Sequence, residues 1–414
     1  MHSIDVLVVG AGLGGLAAAL ALKMAGHSVT IVDAAPEFSK AGAGIHVSPN
    51  ASRLLRRWGV DIGGLRNTCD GFRFIRYADG KPIAWVPFDS TADADGARYH
   101  IVHRADLHGA LLDAARKVGC TILTGKRVVD YDFSVPEART VDGSTFGADL
   151  IVVADGMRSI ARPLLTSAPD APRDIGDVAY RITIPADKLQ TDPELSALVR
   201  DPCVTFWCGP GAHMVGHPVR DGIEYNIMIC ARSRDSAPGL SWVVEGGNGE
   251  LLDRFSRWEP RVQKLCGMAD KFLKWRLCDV PDVPIWVHGS RRACLLGDAC
   301  HPMLPYLAQG AAMAFEDAAV LKQCLASEKD LASALSLYEQ TRMPRVNYMQ
   351  EETREHQYVW HIEDGWRQAL RDGQMAKNAA ENPVFWGDER RRHWLFDHDA
   401  ELVGREGSTW KEGA

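Results

Sequence analysis

The most restrictive feature of the sequence is a glycine-rich turn between two apolar segments near its start. Residues 4–9 form a short, β-rich apolar run, as expected for a strand buried on both faces of a parallel sheet. A Gly-x-Gly-x-x-Gly turn over 10–15 follows, and the Ala- and Leu-rich run to Met24 predicts a helix. A second strand over 28–33 completes a βαβ unit.

The spacing within this unit predicts a dinucleotide site. Gly10, Gly12 and Gly15 allow a tight turn and the close approach of a pyrophosphate, to which the helix N-terminus offers unpaired N–H groups. Asp33 follows about 20 positions later, where a carboxylate can accept hydrogen bonds from ribose hydroxyls. The motif by itself leaves open whether the nucleotide is FAD or NAD.

Composition narrows the class of partner. The chain has 414 residues, of which 46% are hydrophobic and 24% charged, as in ordinary folded proteins of two or three domains. Its 47 Lys and Arg against 54 Asp and Glu give a net charge of -7, which offers no overall basic surface to nucleic acid or anionic lipid. No stretch reaches the roughly 18 apolar residues of a membrane span. We therefore expect small-molecule chemistry.

The cysteines indicate a reducing, cytoplasmic setting. Ten of them are spread along the chain without a Cys-x-x-Cys pair, which fits neither a disulfide framework nor a zinc ribbon. The first apolar run has no basic leader and is predicted to be a strand, so we expect no secretory signal.

The chain predicts an interrupted nucleotide-binding domain. Two further buried strands, over 148–153 and 292–296, each end at a Gly/Asp turn. Between them, residues 178–275 alternate β-branched and aromatic residues, a pattern typical of antiparallel sheet. We predict an α/β Rossmann-like domain with an inserted α+β substrate domain and a C-terminal helical segment. The predicted limits are 1–72, 97–177 and 276–345 for the first, 73–96 and 178–275 for the second, and 346–414 for the third.

The C-terminal segment is charged yet rich in tryptophan. Five of the twelve tryptophans lie in it, at positions 360, 366, 386, 394 and 410. A disordered tail is rarely so aromatic, so we expect it to dock on its own chain or on a second subunit in a homodimer. Pro344 is expected to kink or interrupt the helix that precedes the segment.

Four motifs together identify a family resemblance. Residues 155–162 follow one buried strand, residues 296–302 follow another, and 104–107 read Arg-Ala-Asp-Leu. With the N-terminal turn, these segments resemble the signature set of the single-component FAD-dependent aromatic hydroxylases, which share the para-hydroxybenzoate hydroxylase fold. The match runs in the right order from about residue 4 to residue 345.

The resemblance implies FAD as the cofactor. It implies that Asp298 binds ribityl hydroxyls, that Arg104 contacts the phosphate or ribityl region, and that Asp155 links the flavin and nicotinamide sites. The helix beginning near Gly310 and Ala311 would face the pyrimidine end of the flavin, and Gly297 would let the backbone come close. No second Gly-x-Gly-x-x-Gly occurs, so NADH or NADPH is expected to bind transiently.

Within the family, residues 42–50 most resemble the branch that contains salicylate hydroxylase and 6-hydroxynicotinate 3-monooxygenase. That branch implies a substrate pocket lined by His46, Cys203, His213 and His301. Pro302 adjoins this set, and His217 stands where the branch has a pocket tyrosine, which leaves the ring undetermined.

The resemblance also implies the reaction. An electrophilic flavin C4a-hydroperoxide, formed with O2, needs an electron-rich ring carbon, and deprotonating a ring hydroxyl enriches it. His46, His213 or His301 could take that proton, because the ordinary histidine pKa is about 6.5. Attack at a carbon that carries a carboxylate expels carbon dioxide. We therefore expect decarboxylative hydroxylation of an acid such as 6-hydroxynicotinate, salicylate or 4-hydroxybenzoate.

Several alternatives stay open. The substrate could instead be a phenolic or prenylated secondary metabolite, and the same fold occurs in GTPase dissociation inhibitors that bind without using flavin. His213 and His217 have the i, i+4 spacing of a metal pair, but the surrounding residues read as strands without a third ligand, so no metal site is predicted. Cys203 could be no more than a small buried hydrophobe.

Overall fold

A computed structural model describes residues 2–39, 42–62, 67–88, 97–167, 172–234, 243–377 and 379–402. Residues 89–96 of the predicted insertion, and 403–414 of the predicted tail with Trp410, lie outside the described residues. In the described part, no helix is both long and apolar enough to cross a lipid bilayer.

The strands, in chain order, are β1 (Asp5–Val9), β2 (Ser28–Val32), β3 (Gly44–Val47), β4 (Asn67–Thr68), β5 (Gly71–Arg76), β6 (Pro82–Pro87), β7 (His100–His103), β8 (Thr121–Leu123), β9 (Val128–Asp132), β10 (Glu137–Thr140), β11 (Thr145–Gly147), β12 (Leu150–Val153), β13 (Arg173–Pro185), β14 (Val204–Gly209), β15 (Ala212–Val219), β16 (Glu224–Arg232), β17 (Val243–Gly246), β18 (Phe272–Asp279) and β19 (Ala293–Leu295). The helices are α1 (Leu13–Met24), α2 (Pro49–Arg57), α3 (Arg104–Lys117), α4 (Ala161–Thr166), α5 (Ala186–Gln190), α6 (Pro193–Arg200), α7 (Asn248–Arg254), α8 (Pro260–Gly267), α9 (Gly310–Ser327), α10 (Leu331–Trp360), α11 (Trp366–Met375) and α12 (Glu389–Phe396).

The N-terminal strands build a parallel sheet in the order β19-β12-β1-β2-β8. Val6 of the central strand β1 is paired with Val29 on one side and Leu150 on the other. The strands are buried and almost continuously apolar, as expected when helices such as α1 cover a parallel sheet. Since parallel strands end at one edge, the turns after β1, β12 and β19 meet there.

A second, mostly antiparallel sheet has the strand order β17-β18-β13-β16-β15-β14-β5-β6. Its side chains alternate between two faces, because successive residues of a strand point to opposite sides. On β13, Val178 and Tyr180 pack in the apolar cluster formed with α5 to α8, whereas Ala179 belongs to the main core on the other face. One face is thus sealed by helices, and the other faces the parallel-sheet domain.

Two smaller sheets complete the body. The strands β3, β7 and β4 pair in the order β3-β7-β4, which carries residue His46 between the two large sheets. The strands β9, β10 and β11 form an antiparallel meander beside the parallel sheet.

The C-terminal helices dock on their own chain. Helix α10 runs for 30 residues and continues through Pro344. Of the two effects expected of this proline, an interruption is therefore wrong, and a kink stays a prediction. Trp360 and Trp386 are buried, and both pack against Phe206 of the second sheet. The burial of these rings anchors the segment and brings it up to the face that points toward the parallel-sheet domain.

This architecture confirms the predicted fold class, a Rossmann-like domain with an additional sheet domain and C-terminal helices. The residue limits of the domains stay a prediction. Strand β13 begins at Arg173 and β18 ends at Asp279, so both strands extend a few residues beyond the predicted limits of the insertion.

Candidate functional site

Three adjoining cavities run from the edge of the parallel sheet to the second sheet. The outer cavity, of about 320 Å³, and the middle cavity, of about 310 Å³, are joined by shared residues, namely Gly12, Ala154 and Gly156. The inner cavity, of about 170 Å³, shares three residues with the middle one, namely Ile45, Gly310 and Ala311. A long ligand could therefore reach from the βαβ turn to the second sheet.

The outer cavity is built on the glycine-rich turn. Gly10 has a φ of +104°, and a Cβ there would lie 2.3 Å from the carbonyl oxygen of Ala154, so only glycine fits. At Gly15 a Cβ would lie 1.9 Å from the carbonyl oxygen of Gly10, so the absence of a side chain lets α1 pack on the turn. Asp33 lines the cavity and accepts hydrogen bonds from the N–H groups of Ala11 (2.7 Å) and Ala35 (2.8 Å).

The N-terminus of α1 is open to ligand. Gly12 precedes the helix without any side-chain cap, and a Cβ added there would meet no atom within 4 Å. The unpaired N–H groups of the first turn therefore face free space where the outer and middle cavities meet. This is the arrangement in which helix N-termini bind phosphate groups.

Carboxylates without full protein partners line the cavities. One oxygen of Asp155 accepts from the N–H of Ile160 (3.2 Å), while Oδ1 is buried without a hydrogen-bond partner. Burial raises the pKa of Asp155. Asp298 lies beside Gly297 in the middle cavity. Arg104 lines the same cavity, so this region presents both acceptors and a cation.

Helix α9 begins where the middle and inner cavities meet. Gly310 and Ala311 form its first turn, and the preceding Gln309 side chain does not cap it. The chain enters this helix through Ala308, which has a φ of +54°, an uncommon conformation for a residue with a side chain. The positive end of the helix is thereby directed toward both cavities.

The inner cavity brings together His46, His213 and His217. His213 and His217 lie on β15, where an i, i+4 spacing places both rings on one face, and His46 reaches them from β3. The rings of His46 and His217 meet edge to face at 5.0 Å. Phe206, Tyr306 and Trp386 supply further aromatic walls.

Both ring nitrogens of His217 have hydrogen-bond partners within the protein. The Asn226 oxygen accepts from the N–H of Gly44 (3.0 Å), so the Asn226 amide group donates to His217 Nε2 (3.1 Å). Burial lowers the pKa of His217 to about 4. Its ring therefore shapes the cavity without offering a free lone pair.

His46 and His213 differ from His217 in their partners. The Nδ1 atom of His46 is 2.8 Å from the Tyr99 hydroxyl, and that of His213 is 2.9 Å from Nε2 of His361. Burial is the main cause that holds the pKa of both histidines well below the ordinary value, so both rings are neutral at neutral pH. Either ring is an acceptor on its cavity side in the tautomer that carries its proton on Nδ1.

Sequence reasoning missed Arg181 and Trp386. Arg181 lines the inner cavity, no carboxylate among the described residues pairs with it, and its Nε has no hydrogen-bond partner. The buried Nε1 of Trp386 likewise lacks an acceptor. Arg181 could have been noticed as a charged residue inside the apolar alternation of β13. Trp386 comes from the C-terminal segment, and no local pattern in the sequence shows where that segment docks.

Three predicted pocket residues do not line the inner cavity. His301 is buried and binds Asp317 (Nε2 to Oδ2, 2.5 Å), behind the turn that follows β19. The Cys203 sulfur is 4.0 Å from the Thr205 hydroxyl, on the opposite side of β14 from Phe206. Pro302 is buried, and its carbonyl oxygen accepts a hydrogen bond. These three residues therefore lie outside the lining of the inner cavity, and the substrate role expected for them stays a prediction.

Comparison with known proteins agrees with this geometry. A family model described as FAD binding domain matches residues 3–235, more than half of the chain. The 6-hydroxynicotinate 3-monooxygenase of Bordetella bronchiseptica is 37% identical over 83% of this chain and 89% of its own. The 3-hydroxybenzoate 6-hydroxylase 1 of Aquipseudomonas alcaligenes is 36% identical over 88% and 91% of the two chains.

Solved structures show the same fold. A salicylate hydroxylase substrate complex superposes with a TM-score of 0.78 at 24% identity, over 96% of both chains. The predicted resemblance is therefore confirmed, and the matches favour an enzyme over a flavin-free binding protein. The chain belongs to the FAD binding domain family and is an FAD-dependent aromatic monooxygenase of the hydroxybenzoate, nicotinate and salicylate hydroxylase type.

Proposed function

We propose that this enzyme hydroxylates a single-ring hydroxylated aromatic or heteroaromatic carboxylic acid bound in the inner cavity. NADH or NADPH supplies two electrons and O2 supplies the oxygen atom. Where the attacked carbon carries the carboxylate, acid, O2, NAD(P)H and a proton become phenol, carbon dioxide, water and NAD(P)+. Where it carries hydrogen, the carboxylate is retained.

The described residues fit FAD across the outer and middle cavities. The first turn of α1 with Gly12 would bind the diphosphate, Asp33 the adenosine ribose, and Asp298 with Arg104 the ribityl region. The unpartnered Asp155 oxygen adds an acceptor at the rim. When bound and reduced, FAD supplies the activation of dioxygen.

The observation that carries the substrate class is Arg181, a guanidinium that lines the inner cavity and pairs with no carboxylate among the described residues. A buried cation without a counter-charge is costly, and burial lowers the pKa of Arg181. A carboxylate in the cavity would neutralise this guanidinium and could accept a hydrogen bond from it.

The size of the cavity favours one ring. Its volume of about 170 Å³ is close to that of an engineered cavity of about 150 Å³ that binds benzene. A prenylated or multi-ring metabolite would exceed that space. We therefore place the larger phenolic metabolites second among candidate substrates.

The neutral histidines supply the base. Removing the proton of a ring hydroxyl raises the electron density of the carbon that is attacked, and a positioned general base contributes about 10² to 10⁴ in rate. His213 and His46 have rings that are neutral and line the cavity. Either is suited to accept the hydroxyl proton, and His217 fixes the shape around it.

Mass spectrometry of the products tests this proposal. The FAD-loaded enzyme is incubated with O2, NADH or NADPH, and separately 6-hydroxynicotinate, salicylate, 4-hydroxybenzoate or 3-hydroxybenzoate. We expect one acid to gain an oxygen atom, with loss of carbon dioxide if attack is at the carboxylated carbon. Hydroxylation of carboxylate-free phenols alone would overturn the acid proposal.

We also propose a cytoplasmic location. The ten cysteines are free and buried, as expected in a reducing compartment.

A further inference from the structure

A chain of hydrogen bonds leads away from the inner cavity through His213. Its Nδ1 lies 2.9 Å from Nε2 of His361, which follows the last residue of α10. The Nδ1 of His361 in turn lies 3.2 Å from Oδ2 of Asp177 on β13. Tyr306, which lines the inner cavity, donates its hydroxyl proton to the same carboxylate oxygen (2.6 Å).

This chain ends at a second cleft. The cleft has a volume of about 620 Å³ and is lined by Asp177, His361 and residues of the segment that follows α10, among them the largely exposed Trp366. Of the residues that the structure describes, none lines both the cleft and the inner cavity. The buried histidine pair therefore connects two otherwise separate spaces.

The bonds constrain where the protons lie. An ionised carboxylate only accepts, so His361 carries a proton on Nδ1, and with this imidazole neutral its Nε2 presents a lone pair to His213. His213 must then donate from Nδ1 to His361, which leaves its Nε2 without a proton. Burial opposes ionisation of Asp177, but its bonds to His361 and Tyr306 hold its pKa below the ordinary value. With His361 neutral, the nitrogen of His213 left for the cavity is thus a hydrogen-bond acceptor.

We infer that Asp177 and His361 position His213 as the base and carry the proton of the substrate hydroxyl to the second cleft. The inference rests on the proposed function, since it requires a ring hydroxyl in the inner cavity. The proton moves from that hydroxyl to His213 Nε2, while the electron pair stays on the ring oxygen. The Nδ1 proton of His213 moves to His361, whose own Nδ1 proton passes to Asp177 and then to water in the cleft.

The groups around the pair are few. Cys230, opposite His213 on β16, and Tyr306 face it on the protein side. At the cleft, the charged lining residues besides Asp177 are Arg232, Glu363, Asp364 and Arg367. Tyr306 also donates to Asp177, so the carboxylate is the end point of both bonds that leave the inner cavity.

Two measurements on the FAD-loaded enzyme test the inference. Histidine ¹⁵N NMR reports which ring nitrogen carries the proton without any substrate, and we expect the Nδ1–H form for both His213 and His361. Proton release on binding is followed with an indicator dye and the acid that the wild type hydroxylates. We expect His361→Phe and Asp177→Asn to bind that acid within about threefold of the wild type, but to release the proton at least about tenfold more slowly.

The pH profile separates a relay from structural damage. We expect kcat of His361→Phe to fall about 100-fold at neutral pH. It should recover as the pH approaches the pKa of a free phenol, about 10, because the substrate hydroxyl then ionises without a base. His356→Gln, which removes another buried imidazole from α10, is the matched control and should keep the wild-type profile. If the His361→Phe protein does not fold, the milder variant His361→Gln is used in its place.

The outcomes are distinct. An Nε2–H form of His213, or wild-type proton release in His361→Phe, overturns the relay. If none of the four acids is hydroxylated, the substrate proposal fails, while the tautomer spectra still decide whether His213 is held as an acceptor.

Discussion

Hydrogen-bond partners give the cavity histidines different tasks. His217 accepts a hydrogen bond from Asn226, whereas His213 is hydrogen-bonded to a second histidine. His46 is hydrogen-bonded to a tyrosine hydroxyl. His301, which the sequence pattern groups with them, binds a carboxylate in the core instead. The groups that face the two ring nitrogens therefore decide whether a histidine forms a cavity wall, is available as the proposed base, or makes a structural bond.

Arg181 gives the residue-scale prediction. We expect Arg181→Gln to raise KM for the carboxylic acid about 10- to 100-fold, because a hydrogen bond to a charged group is worth about 1.5–3 kcal/mol. Steady-state kinetics with the acid that the wild type hydroxylates provides the measurement. A carboxylate-free phenol with the same ring is the control and should show little change in KM. An equal loss for both ligands would show that Arg181 does not recognise the carboxylate.

At the scale of the element, strand alternation selects the site residues. On β15, positions 213, 215 and 217 line the cavity, while Met214 packs in the helix-covered cluster on the other face. On β14, Phe206 lines the cavity and Trp207 packs under the helices. Cys203 comes immediately before β14 and does not line the inner cavity, so the pocket role expected for it stays a prediction.

The N-terminus of α1 gives the element-scale prediction. Gly12 has a φ of -70°, which any residue can adopt, and a Cβ there would point into open space. We therefore expect Gly12→Val to leave the Tm of the apoprotein nearly unchanged but to weaken FAD binding at least about tenfold, since the side chain would occupy the diphosphate position. Flavin fluorescence titration measures the Kd.

Gly109→Ala is the control for this variant. Gly109 lies inside α3, and a Cβ added there would meet no atom within 4 Å. That change should stabilise the protein by about 0.5–1 kcal/mol and leave FAD affinity as it is. Wild-type affinity in Gly12→Val would contradict the assignment of the diphosphate to this turn.

At the scale of the whole molecule, buried ion pairs hold the C-terminal helices against the parallel-sheet domain. Glu316 of α9 pairs with Arg342 and Arg345 of α10 at 2.7 Å each. Arg345 also donates to the carbonyl oxygens of residues 394 and 395, and Arg53 to that of Phe396. Because an unpaired buried charge is costly, these contacts fix the segment that supplies Trp386 and His361.

Stability should fall as the pH falls below neutral. Burial lowers the pKa of His356 to about 3, and the ring is committed to its neutral form because Nδ1 bonds the Glu352 carbonyl oxygen and Nε2 accepts from the N–H of Phe385. The unfolded chain binds this proton below about pH 6.5 and the folded chain does not. The free energy of unfolding therefore falls by about 1.4 kcal/mol per pH unit from this residue alone.

Urea unfolding midpoints between pH 7 and pH 5 measure this dependence. We expect a shallower decline in His356→Gln than in the wild type, because one of the groups that titrates on unfolding is gone. His393→Gln changes an imidazole that is about half exposed and should keep the wild-type decline. Equal declines in all three proteins would contradict the linkage.

The sequence determined the framework of this protein through local patterns. The Gly-x-Gly-x-x-Gly turn with Asp33, and the Gly/Asp turns after β12 and β19, are short-range signals whose geometry follows from backbone chemistry. Parallel strands bring such turns to one edge wherever the insertions fall, so the fold class and a dinucleotide site could be predicted without coordinates. That the dinucleotide is FAD came from the family resemblance of the four motifs.

Only the tertiary structure decided which side chains share the inner cavity. His301 is turned away by Asp317, and Arg181 becomes a candidate ligand because its strand presents it without a counter-charge. Trp386 and His361 arrive from the C-terminal segment, more than a hundred residues after the strands they meet. These placements depend on long-range packing and on which hydrogen-bond partner the fold brings next to each polar atom. A local sequence pattern encodes neither of them.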